Sequence, residues 1–162
     1  MKNFKKQIIV GLTTIVLSTN LLALENSKAE YTIGVGGTDE TNDKLLNIGI
    51  VGYKNYQSSV RLGFGANVAF SSNDNPFTDG YISIGKVIGK NSIDLLGGIT
   101  ATSIGNTSYA GYSVGVKYQR ALITNHKIEL SYLKSTLEAE TLTSDIDISR
   151  VNLNYVYAFR TE

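Results

Sequence analysis

The sequence predicts an all-β protein, eight antiparallel strands joined in chain order into an up-and-down barrel. Three observations lead to that class. Apolar residues recur at every second position, the strand period, and not at the 3.6-residue period of a helix. The alternating runs number eight and are separated by clusters of turn formers, one of which holds the only proline, Pro76. The residues opposing the apolar ones are mostly Gly, Ser, Thr and Asn, with few charges.

In the first strand Tyr31, Ile33 and Val35 alternate with Thr32, Gly34 and Gly36. In the second, Leu46, Ile48 and Ile50 alternate with Asn47 and Gly49. The third is the clearest: Val60, Leu62, Phe64, Ala66, Val68 and Phe70 oppose Arg61, Gly63, Gly65, Asn67 and Ala69. Strands four to seven are read at 81–88, 93–101, 109–118 and 127–135. The eighth sets Val151, Leu153, Tyr155, Tyr157 and Phe159 against Asn152, Asn154, Val156 and Ala158. The pattern determines facing least in strands two and four. Connections at 39–44, 71–79, 103–108 and 136–145 are polar and mostly longer, those at 54–59, 89–91 and 121–126 shorter. Residues 137–142 could form one helical turn within a loop.

Ahead of the strands lies a leader. Lys2, Lys5 and Lys6 form a basic start. An apolar stretch follows at 8–24, interrupted by Thr13, Thr14, Ser18, Thr19 and Asn20, and then Ser27 and Ala29 supply small residues at the two positions a signal peptidase reads. Cleavage is expected before Glu30, which makes 1–29 a signal peptide and 30–162 a single barrel domain. The stretch is too short and too interrupted for a spanning helix. The remaining 133 residues carry 11 basic and 13 acidic groups. A balance so near neutral argues against a nucleic-acid partner. The absence of cysteine excludes a disulfide scaffold, a thiolate metal site, a catalytic thiol and a lipidated cysteine.

Alternation alone does not say which face points outward, and three features select the apolar one. A water-facing surface is about a quarter to a third charged, far more than these polar faces carry, whereas small residues suit the interior of an eight-stranded barrel. Aromatics fall at strand ends: Tyr31, Tyr53, Tyr118, Tyr157 and Phe159 at one set, Phe70, Tyr81 and Tyr109 at the other. Two such belts are expected at the interfaces of a membrane barrel. Finally, the polar loops carry Asp39, Glu40, Asp43, Asp74, Asp79, Glu138, Glu140 and Asp145 against Lys44, while the short turns carry Lys54, Lys90, Arg120 and Lys127 and no acid. The expected fold is therefore a transmembrane barrel. An even strand count puts both termini and the short turns on the periplasmic side.

The leader, the eight amphipathic strands and the closing run 151–159 resemble the small eight-stranded outer-membrane barrels of Gram-negative bacteria, of the opacity, attachment–invasion and outer membrane protein A/X types. In those families a last strand with alternating aromatics is read by the barrel-assembly machinery. The resemblance gives that role to Tyr155, Tyr157 and Phe159, although this chain continues through Arg160, Thr161 and Glu162. It also implies residence in the outer membrane, contact with its lipid and lipopolysaccharide, and a host surface or serum protein as partner of the loops.

Four charges lie on the polar side of strands close to short turns: Arg61, Asp94, Lys117 and Glu129. They are expected at similar depth in the lumen, paired, because an unpaired charge in a packed interior costs several kcal/mol. Such a layer plugs the barrel; the competing reading is an ion-selective constriction. Arg150 faces inward by parity, higher up. Lys86 shares parity with Ile82, Ile84 and Ile88, so either a bulge turns it inward or it snorkels to the interface.

Motifs for other chemistry are lacking. The only histidine, His126, sits in a predicted turn and is read as solvated surface. No histidine cluster suits zinc. Gly34 and Gly36, and Gly63 and Gly65, share a strand face and so do not form nucleotide loops. Gly85, Gly89 and Lys90 miss the phosphate-loop spacing by one residue. Asp74, Asp79 and the acids at 39–43 could hold divalent cations bridging lipopolysaccharide, without the regular spacing of a calcium loop. No cofactor is expected. The leading functional reading is a non-enzymatic outer-membrane barrel with a structural or adhesive role. The alternatives are a soluble periplasmic barrel with an apolar ligand, and a lipid-modifying outer-membrane enzyme.

Overall fold

A computed structural model describes residues 29–40, 43–56, 59–70, 76–139 and 145–160. The signal-peptide reading, apart from Ala29, falls outside them, as do Asp74 and Glu140 of the loops. Eight strands follow one another: β1 (Ala29–Glu40), β2 (Asp43–Asn55), β3 (Val60–Phe70), β4 (Phe77–Ile88), β5 (Asn91–Ile104), β6 (Thr107–Ile123), β7 (His126–Ala139) and β8 (Asp145–Arg160). Each pairs antiparallel with the next, and β8 closes on β1 from Glu30↔Arg160 to Glu40↔Arg150, giving a closed barrel. Closure leaves no edge whose N–H and C=O groups would go unpaired.

The register sets the geometry of the interior. One pairing row runs Asn55–Arg61–Gly85–Asp94–Lys117–Ser131–Asn152–Thr38 and returns to β2 at Leu45, ten residues from where it began. That stagger tilts the strands by about 40° to the barrel axis, so partners in one row stand at different heights.

The strands run further than alternation alone delimits. Ser103 pairs with Ser108 and Ile104 with Thr107, so the connection read at 103–108 shrinks to Gly105 and Asn106. Phe77 and Asp79 belong to β4, and Leu137 and Ala139, read as a helical turn, extend β7. Polar residues there continue the ladder because the barrel wall rises beyond its apolar belt. Gly89 and Gly105 lead their two-residue turns with φ of +60°. A hairpin with glycine first and positive φ matches the right-handed strand twist, and any other residue would be strained. At the β6–β7 hairpin the ladder slips between Ala121 and Ile123, a bulge.

Facing is as clear as the topology. Ile33, Val35, Ile48, Ile82, Ile84, Ile93, Leu95, Ile99, Val114, Val116, Leu130 and Leu153 are exposed on the exterior. Thr32, Asn47, Asn67, Ser83, Ser113, Ser131, Asn152 and Asn154 are buried inside. The interior also holds bulky apolar groups. Ala69, Phe77, Leu137 and Ile148 form one cluster, and Val51, Tyr53, Tyr81, Leu96 and Leu133 another. The clusters correct three expectations: Tyr53, Tyr81 and Tyr109, which packs against the first cluster, are not belt residues. Tyr53 shares parity with Asn47 and Val51, and Tyr81 with Ser83, so both rings enter the lumen. They fit because their neighbours lack side chains: a Cβ on Gly65 would lie 2.6 Å from Cζ of Tyr81.

Candidate functional site: the charged lumen

Each inward charge is placed by strand parity, and the first pair also by a glycine between its members. Arg61 of β3 and Asp94 of β5 flank Gly85 of β4, which has no side chain to separate them. Arg61 Nε donates to Asp94 Oδ1 at 2.6 Å and its Nη2 to Oδ2, in a fork-to-carboxylate pair. The guanidinium also lies 4.2 Å from the ring centre of Tyr53. Lys117 Nζ stands 5.1 Å from the Tyr53 and the Tyr81 ring centres and 3.7 Å from Glu129 Oε2. Glu129 accepts from Gln119 Nε2 at 2.7 Å and from Asn154 Nδ2 at 3.0 Å. The structure thus brings Arg61, Asp94, Lys117 and Glu129 together around one tyrosine, all of them buried.

Two further pairs complete the lumen. Arg150 of β8 donates to both oxygens of Asp79 on β4, Nη1 at 3.0 Å and Nη2 at 2.6 Å. In a ring of eight strands β4 and β8 lie opposite each other, so this pair crosses the whole lumen. Thr100 donates to Asp79 at 2.7 Å, and Ser135 Oγ stands 3.2 Å from Arg150 Nη2. Phe77 lies under the guanidinium at 4.6 Å. Near the strand ends that carry the termini, Lys127 pairs with Glu30 beside Ala158. Among the described residues the interior therefore holds four cations and four anions in four pairs, which is how a low-dielectric core tolerates charge.

Sequence reasoning missed Asp79 and Phe77 because they were read in a loop, and Lys127 because, although it opens the seventh strand, it was counted with the charges of the turns. The signal that finds Asp79 is parity: it alternates with Thr78 and Gly80 in step with Tyr81 and Ser83. Between the two charged layers remains a small cavity of about 20 Å³, lined by Lys117, Glu129, Asn67 and Asn154 among others, room for one water. At the terminus end the lumen opens into a mouth of about 540 Å³ bordered by Glu30, Arg61, Lys90, Gln119 and Lys127.

The remaining sequence-predicted residues lie on the exterior. Tyr155, Tyr157 and Phe159 face outward on β8. Tyr157 packs edge-on against Phe159 at 4.8 Å and against His126 at 5.1 Å. His126 Nδ1 meets the Tyr155 hydroxyl. Lys86 is exposed on a regular ladder, with no bulge to turn it inward. Among the described residues no group of three or more His, Cys, Asp or Glu is disposed to hold a metal.

No family profile and no characterised protein sequence matches the chain. Solved structures do. The N-terminal barrel domain of Pseudomonas aeruginosa OprF aligns with a TM-score of 0.58 at 10% identity, over 83% of this chain and 100% of that one. Yersinia pestis outer membrane protein Ail in a phospholipid nanodisc aligns at 0.55 and 13%, over 81% and 99%. Neisserial surface protein A aligns at 0.53 and 10%, over 83% and 98%. Likeness at such identity is likeness of fold. The chain has the fold of the eight-stranded outer-membrane barrels, together with the apolar exterior that a bilayer demands.

Proposed function

We propose that this chain is a non-enzymatic integral protein of the Gram-negative outer membrane, a sealed barrel that braces the envelope and presents a rim to the outside. The observation that carries this reading is the Arg150–Asp79 pair spanning the lumen above the Arg61–Asp94–Tyr53 layer. On this reading those two layers plug the lumen. Planar-bilayer recording tests it. The wild type should show no steady open state, and a large, steady conductance that Arg61→Ala abolishes would replace the plug by a constriction.

The outward apolar side chains support membrane residence over a soluble barrel, whose apolar residues would line a ligand cavity. Against a lipid-modifying enzyme stands His126, held by Tyr155 and Tyr157 at the terminus end, away from the loops. Lipid and lipopolysaccharide are the partners of the exterior, and Tyr155, Tyr157 and Phe159 are the surface for the barrel-assembly machinery. One Ail structure is a complex with the heparin analogue sucrose octasulfate. Among the described residues the rim exposes Asp39, Glu138, Asp145 and Asp147 against Lys134. A host partner of this rim is accordingly a protein surface with basic groups, not a sulfated glycan.

A further inference from the structure

The exterior is polarised along the barrel axis. At the loop end the exposed charges among the described residues are the acids of the rim, offset by Lys134, which already pairs with Asp147 at 3.3 Å. At the terminus end they are all cationic among the described residues. Lys86 faces outward on β4, three residues before the β4–β5 turn; Lys90 lies in that turn; Arg120 faces outward near the end of β6. None of the three forms an ion pair among the described residues. Lys54 points outward near the end of β2, with its Nζ 5.7 Å from the Tyr56 ring centre. The described acids of this half, Glu30, Asp94 and Glu129, are all turned inward and paired.

The cations also sit where a membrane interface would fall. Lys86 and Ile93 pair directly, as do Ile93 and Tyr118, so Lys86 and Tyr118 stand on one outward row two strands apart. Arg120 follows Tyr118 on the same face, and the Tyr118 hydroxyl donates to Asn91 Oδ1 at 2.7 Å. Tyrosine at the headgroup level, with long cationic chains beside it, is the arrangement in which ammonium and guanidinium groups reach lipid phosphates while their stems stay on the apolar wall. Solubility alone would favour mixed signs. A one-sign collar at the lipid boundary matches an anionic surface.

We propose that Lys54, Lys86, Lys90 and Arg120 form a collar that recruits anionic glycerophospholipid, through its headgroup phosphate, in the leaflet around the terminus end. This rests on the membrane reading above. The test uses the full chain refolded into phosphatidylcholine vesicles containing a minor fraction of phosphatidylglycerol. Insertion is checked by the mobility difference between heated and unheated gel samples. Spin-labelled phosphatidylglycerol and phosphatidylcholine then report which lipid occupies the boundary. The wild type is expected to prefer phosphatidylglycerol by about 2–5-fold, the preference fading with salt. Lys86→Gln/Arg120→Gln should bring the ratio close to unity, Lys86→Arg should retain it, and Lys134→Gln at the other rim should leave it unchanged. An inserted wild type without preference, or a double variant that keeps it, overturns the collar alone. Failure to insert overturns the membrane reading beneath it.

Discussion

Replacing Arg61 by Met isolates the energetics of the lumen. The replacement keeps an unbranched apolar stem about two atoms shorter, and Asp94, with no exposed surface, loses both hydrogen bonds of its fork. Gly85 beside it has nothing to offer in exchange. Removing one member of a buried pair costs about 3–5 kcal/mol, and the lost stacking on Tyr53 adds about 0.5–2 kcal/mol. The reverse change, Asp94→Asn, should cost less, because Arg61 borders the open mouth and can be solvated there, whereas Asp94 does not. In the double variant neither charge remains stranded, so the cycle should show a coupling of at least about 2 kcal/mol. Urea unfolding in phosphatidylcholine vesicles, followed by circular dichroism, measures all four corners. A loss below 1 kcal/mol for Arg61→Met, or a double variant whose loss equals the sum of the singles, would refute this account of the pair.

Three glycines separate the reasons for which a barrel uses them. Gly65→Ala drives a methyl into the buried Tyr81 ring and should cost about 1–3 kcal/mol. Gly89→Ala meets nothing within 4 Å but inherits a φ of +60°, for about 1–2 kcal/mol. Gly97→Ala meets neither obstacle on the exterior and should be neutral or stabilise by up to about 1 kcal/mol; the same unfolding assay ranks them. Phe159→Ser removes the outermost ring of the β8 aromatic row and should lower the fraction of chains with heat-modifiable mobility in isolated membranes, whereas Ser149→Ala on the same face should not.

Much of this architecture was legible in the residues. Strict alternation in β3 and β8 located both strands and both faces, because a period of two leaves no freedom once one side is apolar. Parity likewise placed Arg61, Asp94, Lys117, Glu129 and Arg150 on the polar side. Legibility failed where both faces carry aromatic or charged groups. Beside Tyr53 the outward neighbour is Lys54, so composition alone favoured the wrong face for the ring. It failed again where strands outrun their apolar belt: Phe77 and Asp79 look like loop because Pro76 precedes them. The Arg150–Asp79 pair needs β4 opposite β8, which only closure and stagger provide. The Glu30–Lys127 pair needs the seam between the first and last strands, which no local pattern encodes.

The inverted distribution of side chains can be read most directly on β8. The chain has no cysteine, so single cysteines at each position from 151 to 158 can carry an environment-sensitive fluorophore, with brominated lipid as quencher. Residues 151, 153, 155 and 157 are exposed on the outside, and 152, 154, 156 and 158 are buried. Strong quenching at the odd positions and little at the even ones is the predicted result. Quenching that ignores parity, or favours the even positions, would contradict a barrel that turns its apolar face to lipid.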